Sequence, residues 1–160
     1  MSSPFAIDPL EVAALLADEI SGADHRPAEI PRLIRAIDTL TYSLHSIDAD
    51  VPAAEAAGLE LPLFDYREAY EAIKQRYPTL GHYWLALHAI VEDGADGELA
   101  VGDAIDDLAD ILIALREVRW INKRADRRNA LAALRFRYDM HLWMHIHSLR
   151  QYLEEMRHDD

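Results

Sequence analysis

Apolar residues recur at steps of three and four positions along much of this chain, most clearly between residues 28 and 47. The apolar positions of that segment are Ile30, Leu33, Ile34, Ile37, Leu40, Leu44 and Ile47. Residues spaced in this way lie on one face of an α-helix, which must bury that face against another element. Helical patterns of this kind dominate, and no series of alternating strand patterns competes with them. The sequence therefore predicts an all-α fold, an antiparallel helical bundle.

Capping residues and prolines mark where the other helices begin and end. Asp8 before a proline predicts a helix start, and Gly22 predicts the end of that helix. Asp65 and Glu68 have the spacing of a capping box, which predicts a helix that Pro78 stops. We predict about five helices, approximately at residues 9–20, 28–47, 65–77, 104–121 and 126–156.

Three segments lie outside these helices. Residues 51–64 contain two prolines and a glycine and are predicted to form a long connection. Residues 79–91, "TLGHYWLALHAIV", fit a short strand or a helix equally well, because a short apolar run does not settle the period. Residues 92–102, "EDGADGELAVG", are predicted to form a loop. We expect one helical domain over residues 1–160, with N-terminal helices and the long loop in 1–64 and a second part in 65–157.

Length and composition narrow the class of protein. A chain of 160 residues can bury one sizeable core. The absence of cysteine excludes disulfides, thiolate nucleophiles and cysteine-ligated metal sites. A formal net charge of −13 argues against nucleic acid and anionic membranes as partners. The N-terminus lacks the pattern of a signal peptide and no stretch reaches the roughly 20 apolar residues of a membrane span, so we expect a cytoplasmic protein.

Basic residues cluster where the fourth predicted helix meets the fifth. This basic corner consists of Lys123, Arg124, Arg127 and Arg128. A helix N-terminus surrounded by Arg and Lys is a place where an anion or an acidic partner could bind. The alternative, which we favour, is a solvated turn whose charges pair with acids elsewhere on this acidic protein.

The stretch "DAIDDLAD" holds four aspartates, at positions 103, 106, 107 and 110. A helix would place Asp103, Asp106, Asp107 and Asp110 in one sector, where carboxylates could coordinate a divalent metal ion such as Mg²⁺. That sector is opposite the helix's apolar stripe, so we expect these side chains to face water unless another element covers them. A structural interpretation also accounts for these aspartates: Asp103 can cap the helix, and the helix dipole stabilises acids in the first turn. We favour that structural interpretation.

A sharper hypothesis compares this chain with all-α nucleotide pyrophosphohydrolases, which pair an E-x-x-E helix with a later E-x-x-D helix. The corresponding pairs here are Glu68 with Glu71 and Asp107 with Asp110. Each pair is predicted to point away from the apolar stripe of its own helix, whereas in those enzymes the carboxylates converge. We keep this hypothesis as an alternative.

Three histidines lie close together in "YDMHLWMHIH". His141 and His145 are four residues apart on one side of the predicted fifth helix, a spacing that lets two imidazoles share a metal ion or an acid. His147 projects elsewhere. Two histidines are half of a tetrahedral zinc site, and the remaining ligands would have to come from another helix. The simpler interpretation, which we favour, is a histidine in the core with one hydrogen-bond partner.

The C-terminal two thirds of the chain resembles a bacterial family of helical proteins, domain of unknown function 5063. The resemblance rests on "YREAYEAIKQRYPTLGHYW", on "VGDAIDDLADI", and on Arg135-Phe136 followed by His141-x-x-x-His145. It implies a compact, mostly helical bacterial domain and carries no established reaction or ligand. It also marks the polar positions that recur in the family, which correspond here to Asp106, Asp107, Asp110, His141 and His145.

No nucleophile motif and no phosphate-binding glycine loop is present in the sequence. We therefore expect a non-enzymatic binding or interaction module, with another protein or a second copy of the chain as partner. An aromatic-rich region around the third predicted helix supports this expectation; its aromatic residues are Tyr66, Tyr70, Tyr77, Tyr83 and Trp84. No cofactor is predicted, although a divalent metal ion is compatible with the acids and histidines. The alternative is a metal-dependent hydrolase that uses either the aspartates or the histidine pair.

Overall fold

Helices form most of the protein, as the apolar periodicity predicts. The computed structural model describes residues 7–47, 59–88, 90 and 97–159. The helices are α1 (Pro9–Ser21), α2 (Ile30–Leu44), α3 (Tyr66–Arg76), α4 (Ala104–Arg124), α5 (Arg127–Arg137) and α6 (Trp143–Asp159), with a π-helical turn at Tyr138–Leu142. The predicted all-α bundle is confirmed, with one small sheet added. No helix in the described ranges is long and apolar enough to cross a lipid bilayer.

The predicted caps are present at the helix ends. The Asp8 carboxylate accepts a hydrogen bond from the backbone N–H of Leu10 at 2.9 Å. Gly22 ends α1 with a φ of 76°, a left-handed conformation that glycine adopts without steric cost. The Asp65 carboxylate accepts from the N–H of Glu68 at 3.0 Å, so this half of the predicted capping box forms.

Helix α4 lies at the centre of the bundle. It packs against α1, α3, α5 and α6, while α2 packs against α1 and α6. Its fully buried side chains are Leu108, Ile111, Leu112, Leu115 and Ile121. Burying each of these contributes roughly 1.5–3 kcal/mol relative to exposure. Because α4 touches α3 on one side and α6 on the other, polar residues near its start can be reached from both.

Two short strands pair antiparallel beside the start of α4. Strand β1 (His82–Ala86) lies within the segment that fitted a strand or a helix equally well. Strand β2 (Leu99–Asp103) overturns part of the loop prediction for residues 92–102. The register pairs Tyr83 with Gly102, 19 positions away, and Trp84 with Val101, 17 positions away, which no local pattern specifies. The rest of that loop prediction lies partly outside the described residues, as does most of the predicted 51–64 connection.

The long C-terminal helix is interrupted in its hydrogen-bonding pattern. We predicted one α-helix over 126–156; the chain is helical from Arg127 to Asp159, but Tyr138–Leu142 forms a π-helical turn. The prediction of an uninterrupted α-helix is therefore wrong at this point. Single π-helical turns are frequent at functional sites because they change the direction of the side chains that follow. This turn contains His141.

Candidate metal centre

The aspartates at the start of α4 are bound by tyrosines from neighbouring elements. Asp103 caps α4 by accepting from the N–H of Ile105 at 2.9 Å. Three tyrosine hydroxyls donate to the first three aspartates: Tyr70 to Asp103 at 2.8 Å, Tyr66 to Asp106, and Tyr83 to Asp107. Asp110 lies one turn further along, on the side that faces the C-terminal helical run. Asp103, Asp106 and Asp107 therefore each accept from a tyrosine, whereas Asp110 lies near His141 and His145.

Asp107 is buried, with only 6% of its surface exposed. We expected the four aspartates to face water unless another element covered them, and Asp107 is covered by residues of β1 and α6. One carboxylate oxygen accepts from Tyr83 and the other lies 2.6 Å from Nδ1 of His145. A buried carboxylate is costly unless such partners satisfy it. Asp107 therefore connects α4 to both neighbouring elements.

His145 and His141 lie against the exposed side of this acidic turn. Nε2 of His145 is 3.0 Å from Nε2 of His141 and 3.4 Å from Oδ2 of Asp110. Nε2 of His141 is 3.8 Å from the same Asp110 oxygen. Asp110, His141 and His145 can each present one ligand atom within 4.8 Å of the others. The structure thus joins the aspartates and the histidine pair, which we had treated as alternative sites, into one cluster.

The electrostatics of the cluster favour positive charge. The hydrogen bond to Asp107 raises the pKa of His145 above its usual value, against the opposing effect of burial, and Asp110 and Asp106 add to the increase. Burial together with the charges of Asp110 and Asp107 raises the pKa of Asp106. Neighbouring carboxylates contribute to both shifts. A cation placed among them would reduce their mutual repulsion.

Exposure differs across the three residues. The side chain of His141 is 56% exposed, that of Asp110 32% and that of His145 17%. Asp107 holds the inner end of the cluster, while His141 forms its solvent side. A ligand could therefore reach the three donor atoms from solvent without displacing the core.

The other predicted site residues lie elsewhere. Glu68 and Glu71 are exposed on α3, and within the described residues they do not belong to the group of potential metal ligands. His147, as expected, is separate: its Nε2 atom lies 3.4 Å from the Tyr138 hydroxyl. Nε2 of His82 lies 3.8 Å from Oδ2 of Asp103.

The basic corner is at the far end of α4. Arg124 lies fourteen positions after Asp110 on α4, which corresponds to about 21 Å along a helix. Lys123, Arg124, Arg127 and Arg128 are all exposed. Arg127 pairs with Asp8 at 2.8 Å, and the Arg124 guanidinium lies 5.9 Å from the centroid of the Trp120 ring. These residues therefore contribute nothing to the histidine–aspartate cluster.

Sequence reasoning missed the tyrosines that hold the aspartates. Tyr66, Tyr70 and Tyr83 were identified only as part of an aromatic-rich segment. The sequence shows that each of these residues carries a hydroxyl group. Which aspartate each hydroxyl binds depends on how α3 and β1 pack against α4. No spacing within either segment carries that information.

Comparison with protein-family models, curated proteins and solved structures finds no match to this chain. The resemblance to domain of unknown function 5063 therefore stays a prediction.

Proposed function

We propose that this protein is a binding module for a divalent transition metal ion, held by Asp110, His141 and His145. The observation that carries the proposal is the convergence of three donor atoms from two separate parts of the chain to within 4.8 Å of one another. Asp110 comes from α4, His141 from the π-helical turn and His145 from α6. Convergence of ligand types across a bundle is how metal sites are built between helices.

The spacing of the donor atoms suits a tetrahedral ion. Metal–ligand bonds of about 2.0–2.2 Å hold the ligand atoms of a tetrahedral site roughly 3.3–3.6 Å apart. The three separations here are 3.0, 3.4 and 3.8 Å. Changes of a few tenths of an ångström would bring all three into that range, and the exposed His141 side chain can make them.

The donor set selects the class of metal. Two imidazole nitrogens and one carboxylate oxygen suit Zn²⁺ and neighbouring transition ions, whereas Mg²⁺ prefers oxygen ligands in an octahedral arrangement. The nearby carboxylates of Asp106 and Asp107 add attraction for a cation. Zn²⁺ is therefore the first ion to test, with Co²⁺ as its spectroscopic substitute.

A second candidate function is a metal-dependent hydrolase. It is favoured by one specific feature: three protein ligands leave the fourth position of a tetrahedral ion free, on the side where His141 is exposed. Zinc sites that activate water share this composition of three protein ligands and one open position. The surrounding aspartates would repel phosphorylated compounds, so neutral esters and amides are the substrates that this arrangement favours.

Calorimetric titration of metal-depleted protein with ZnCl₂ tests the binding proposal. We expect one ion per chain, a higher melting temperature on addition of zinc, and the visible spectrum of tetrahedral Co²⁺ when cobalt is used. His141→Ala and Asp110→Ala should each weaken binding strongly. His88→Ala removes an exposed histidine outside the cluster and serves as the matched control. Absence of heat, thermal shift and cobalt absorption in the unmodified protein would overturn the proposal.

Hydrolysis is tested separately on the zinc-loaded protein. The hydrolase candidate predicts turnover of a p-nitrophenyl ester that disappears on chelation and in Asp110→Ala, with little turnover of p-nitrophenyl phosphate. If the protein binds zinc but shows no metal-dependent turnover of esters, amides or nucleoside triphosphates, the hydrolase candidate is rejected. The proposal of a metal-binding module would then still hold.

A further inference from the structure

We infer that Asp107 and Tyr83 are positioning residues that fix His145 in the orientation and tautomer that a metal ion requires. This inference rests on the proposed metal site and identifies what determines its affinity. Neither residue belongs to the group of three potential ligands. Both act on His145 from its buried side.

The contact between His145 and Asp107 decides which ring nitrogen is free. Nδ1 of His145 lies 2.6 Å from Oδ1 of Asp107, so Nδ1 carries the proton and its N–H donates a hydrogen bond to the carboxylate. In the neutral ring the other nitrogen, Nε2, then has a lone pair. Nε2 is the atom that faces His141 at 3.0 Å and Asp110 at 3.4 Å. The hydrogen bond therefore presents the ligating nitrogen to the proposed site.

A carboxylate behind a ligating histidine also raises the basicity of the ring and holds its plane. Asp107 can do this firmly because its own side chain is only 9% exposed and cannot turn towards solvent. By contrast, the ring of His141 has 56% exposure and no carboxylate closer than 3.8 Å among the described contacts. The proposed site would thus combine His145, whose ring orientation is fixed before metal binds, with His141, whose ring can move to meet the metal.

Tyr83 holds Asp107 in turn. Its hydroxyl donates to Oδ2 of Asp107, the oxygen that His145 does not use. The tyrosine ring is stacked on Tyr152 of α6, with the ring centroids 5.0 Å apart and an interplanar angle of 20°. The Tyr152 hydroxyl oxygen accepts a hydrogen bond from the backbone N–H of Gly81 at 3.0 Å, which ties α6 to the residue before β1. The series of hydrogen bonds from Tyr83 to Asp107 to His145 therefore links β1, α4 and α6.

The test compares Asp107→Asn with Asp106→Asn. Both substitutions remove one carboxylate charge from neighbouring positions on α4, but only the first removes the hydrogen-bond partner of His145. We expect Asp107→Asn to lower zinc affinity roughly 10–100-fold and Asp106→Asn to lower it much less. Tyr83→Phe, which retains the stacked ring, should give an intermediate loss. Melting curves of each metal-free variant establish that the fold is intact.

Nitrogen-15 NMR of His145 in the metal-free protein supplies a readout that a purely structural role would not move. At alkaline pH, where the ring is neutral, the unmodified protein should show the Nδ1-protonated tautomer, and Asp107→Asn should shift His145 towards a mixture. Equal zinc affinities for the two asparagine variants, with an unchanged tautomer, would overturn the positioning role and leave the metal site standing. Failure of the unmodified protein to bind zinc would instead overturn the metal site, while the tautomer would still decide the role of Asp107.

Discussion

Gly102 pairs with Tyr83 in the two-stranded sheet, and the tyrosine ring occupies the space where a side chain at position 102 would lie. A Cβ atom built on Gly102 would be 2.5 Å from Cζ of the Tyr83 ring and 2.9 Å from its hydroxyl oxygen. The absence of a side chain at this one position leaves room for the ring, whose hydroxyl donates to Asp107. A glycine in β2 therefore sets the position of a residue that contacts α4.

Gly102→Ala should displace the Tyr83 ring and break its hydrogen bond to Asp107. We expect the free energy of unfolding to fall by about 1–3 kcal/mol, the usual cost of overpacking, and zinc affinity to fall as in Tyr83→Phe. Chemical denaturation and calorimetric titration measure the two effects. Gly97→Ala is the matched control, since a Cβ at Gly97 meets nothing within 4 Å. Similar results for the two alanine variants would contradict the prediction.

Glu19 is a buried acid that stabilises the N-terminal part of the bundle. It is 3% exposed and accepts hydrogen bonds from Nε of Arg32 at 2.6 Å and from the Tyr77 hydroxyl at 3.1 Å, with Arg76 3.7 Å away. Glu19→Ala should lower the unfolding free energy by about 3–5 kcal/mol, because it leaves guanidinium groups without their partner. Because Arg32 and Arg76 are both partly exposed, water can solvate them after the substitution. We therefore expect a loss of unfolding free energy near the lower end of this range.

Glu29 provides the comparison for Glu19. It lies 3.4 Å from the same Arg32, but its side chain is 56% exposed. Glu29→Ala should cost less than about 1 kcal/mol, as expected for a surface ion pair. Thermal or chemical denaturation of the two variants measures the contrast. Equal losses would show that burial of Glu19 contributes little to stability.

The hydrogen bond between His145 and Asp107 predicts a pH dependence of stability in the metal-free protein. The pKa of His145 is raised in the folded state, so its stabilising contribution is fully present below the ordinary histidine pKa of about 6.5 and is lost as pH rises through the raised value. The groups that face it are Asp106, Asp107 and Asp110 from α4 and His141 from the π-helical turn. Stability measured in chelator should therefore decline across this window.

Two variants isolate this contribution. His145→Gln removes the titrating group and Asp107→Asn removes its partner, and each should reduce the slope of stability against pH. Denaturant midpoints measured from mildly acidic to mildly alkaline pH give the comparison. Curves that run parallel to that of the unmodified protein would mean that the charged His145–Asp107 pair does not contribute.

Leu108 follows the buried Asp107 on α4 and is itself fully buried at 0% exposure. Leu108→Ala should lower the unfolding free energy by about 2–5 kcal/mol, through lost burial and the cavity that remains. Leu63→Ala, at a leucine 102% exposed before α3, should change it by no more than about 0.5 kcal/mol. A small loss for Leu108→Ala, measured by denaturant unfolding, would contradict a central role for α4.

Much of the helical architecture could be predicted because its signals are local. The apolar positions of α2, the Asp8 and Asp65 caps and the αL glycine at position 22 each act within a few residues of themselves. The same is true of the histidine pair, since a spacing of four places His141 and His145 on one side of a helix even across a π-helical turn. The π-helical turn itself was not predicted, and neither was β2, whose pairing depends on a distant partner.

The sequence by itself determined which residues could form a site: an acidic first turn on α4 and two histidines one turn apart near the C-terminus. Only the tertiary structure decided that these groups meet, and that Asp107 is buried behind His145 while Asp110 faces both histidines. The physical reason is that helix periodicity orders side chains around a single axis, whereas the packing of α6 and β1 against α4 joins residues 24 and 38 positions apart. Such contacts depend on the relative placement of whole elements, which no local pattern encodes.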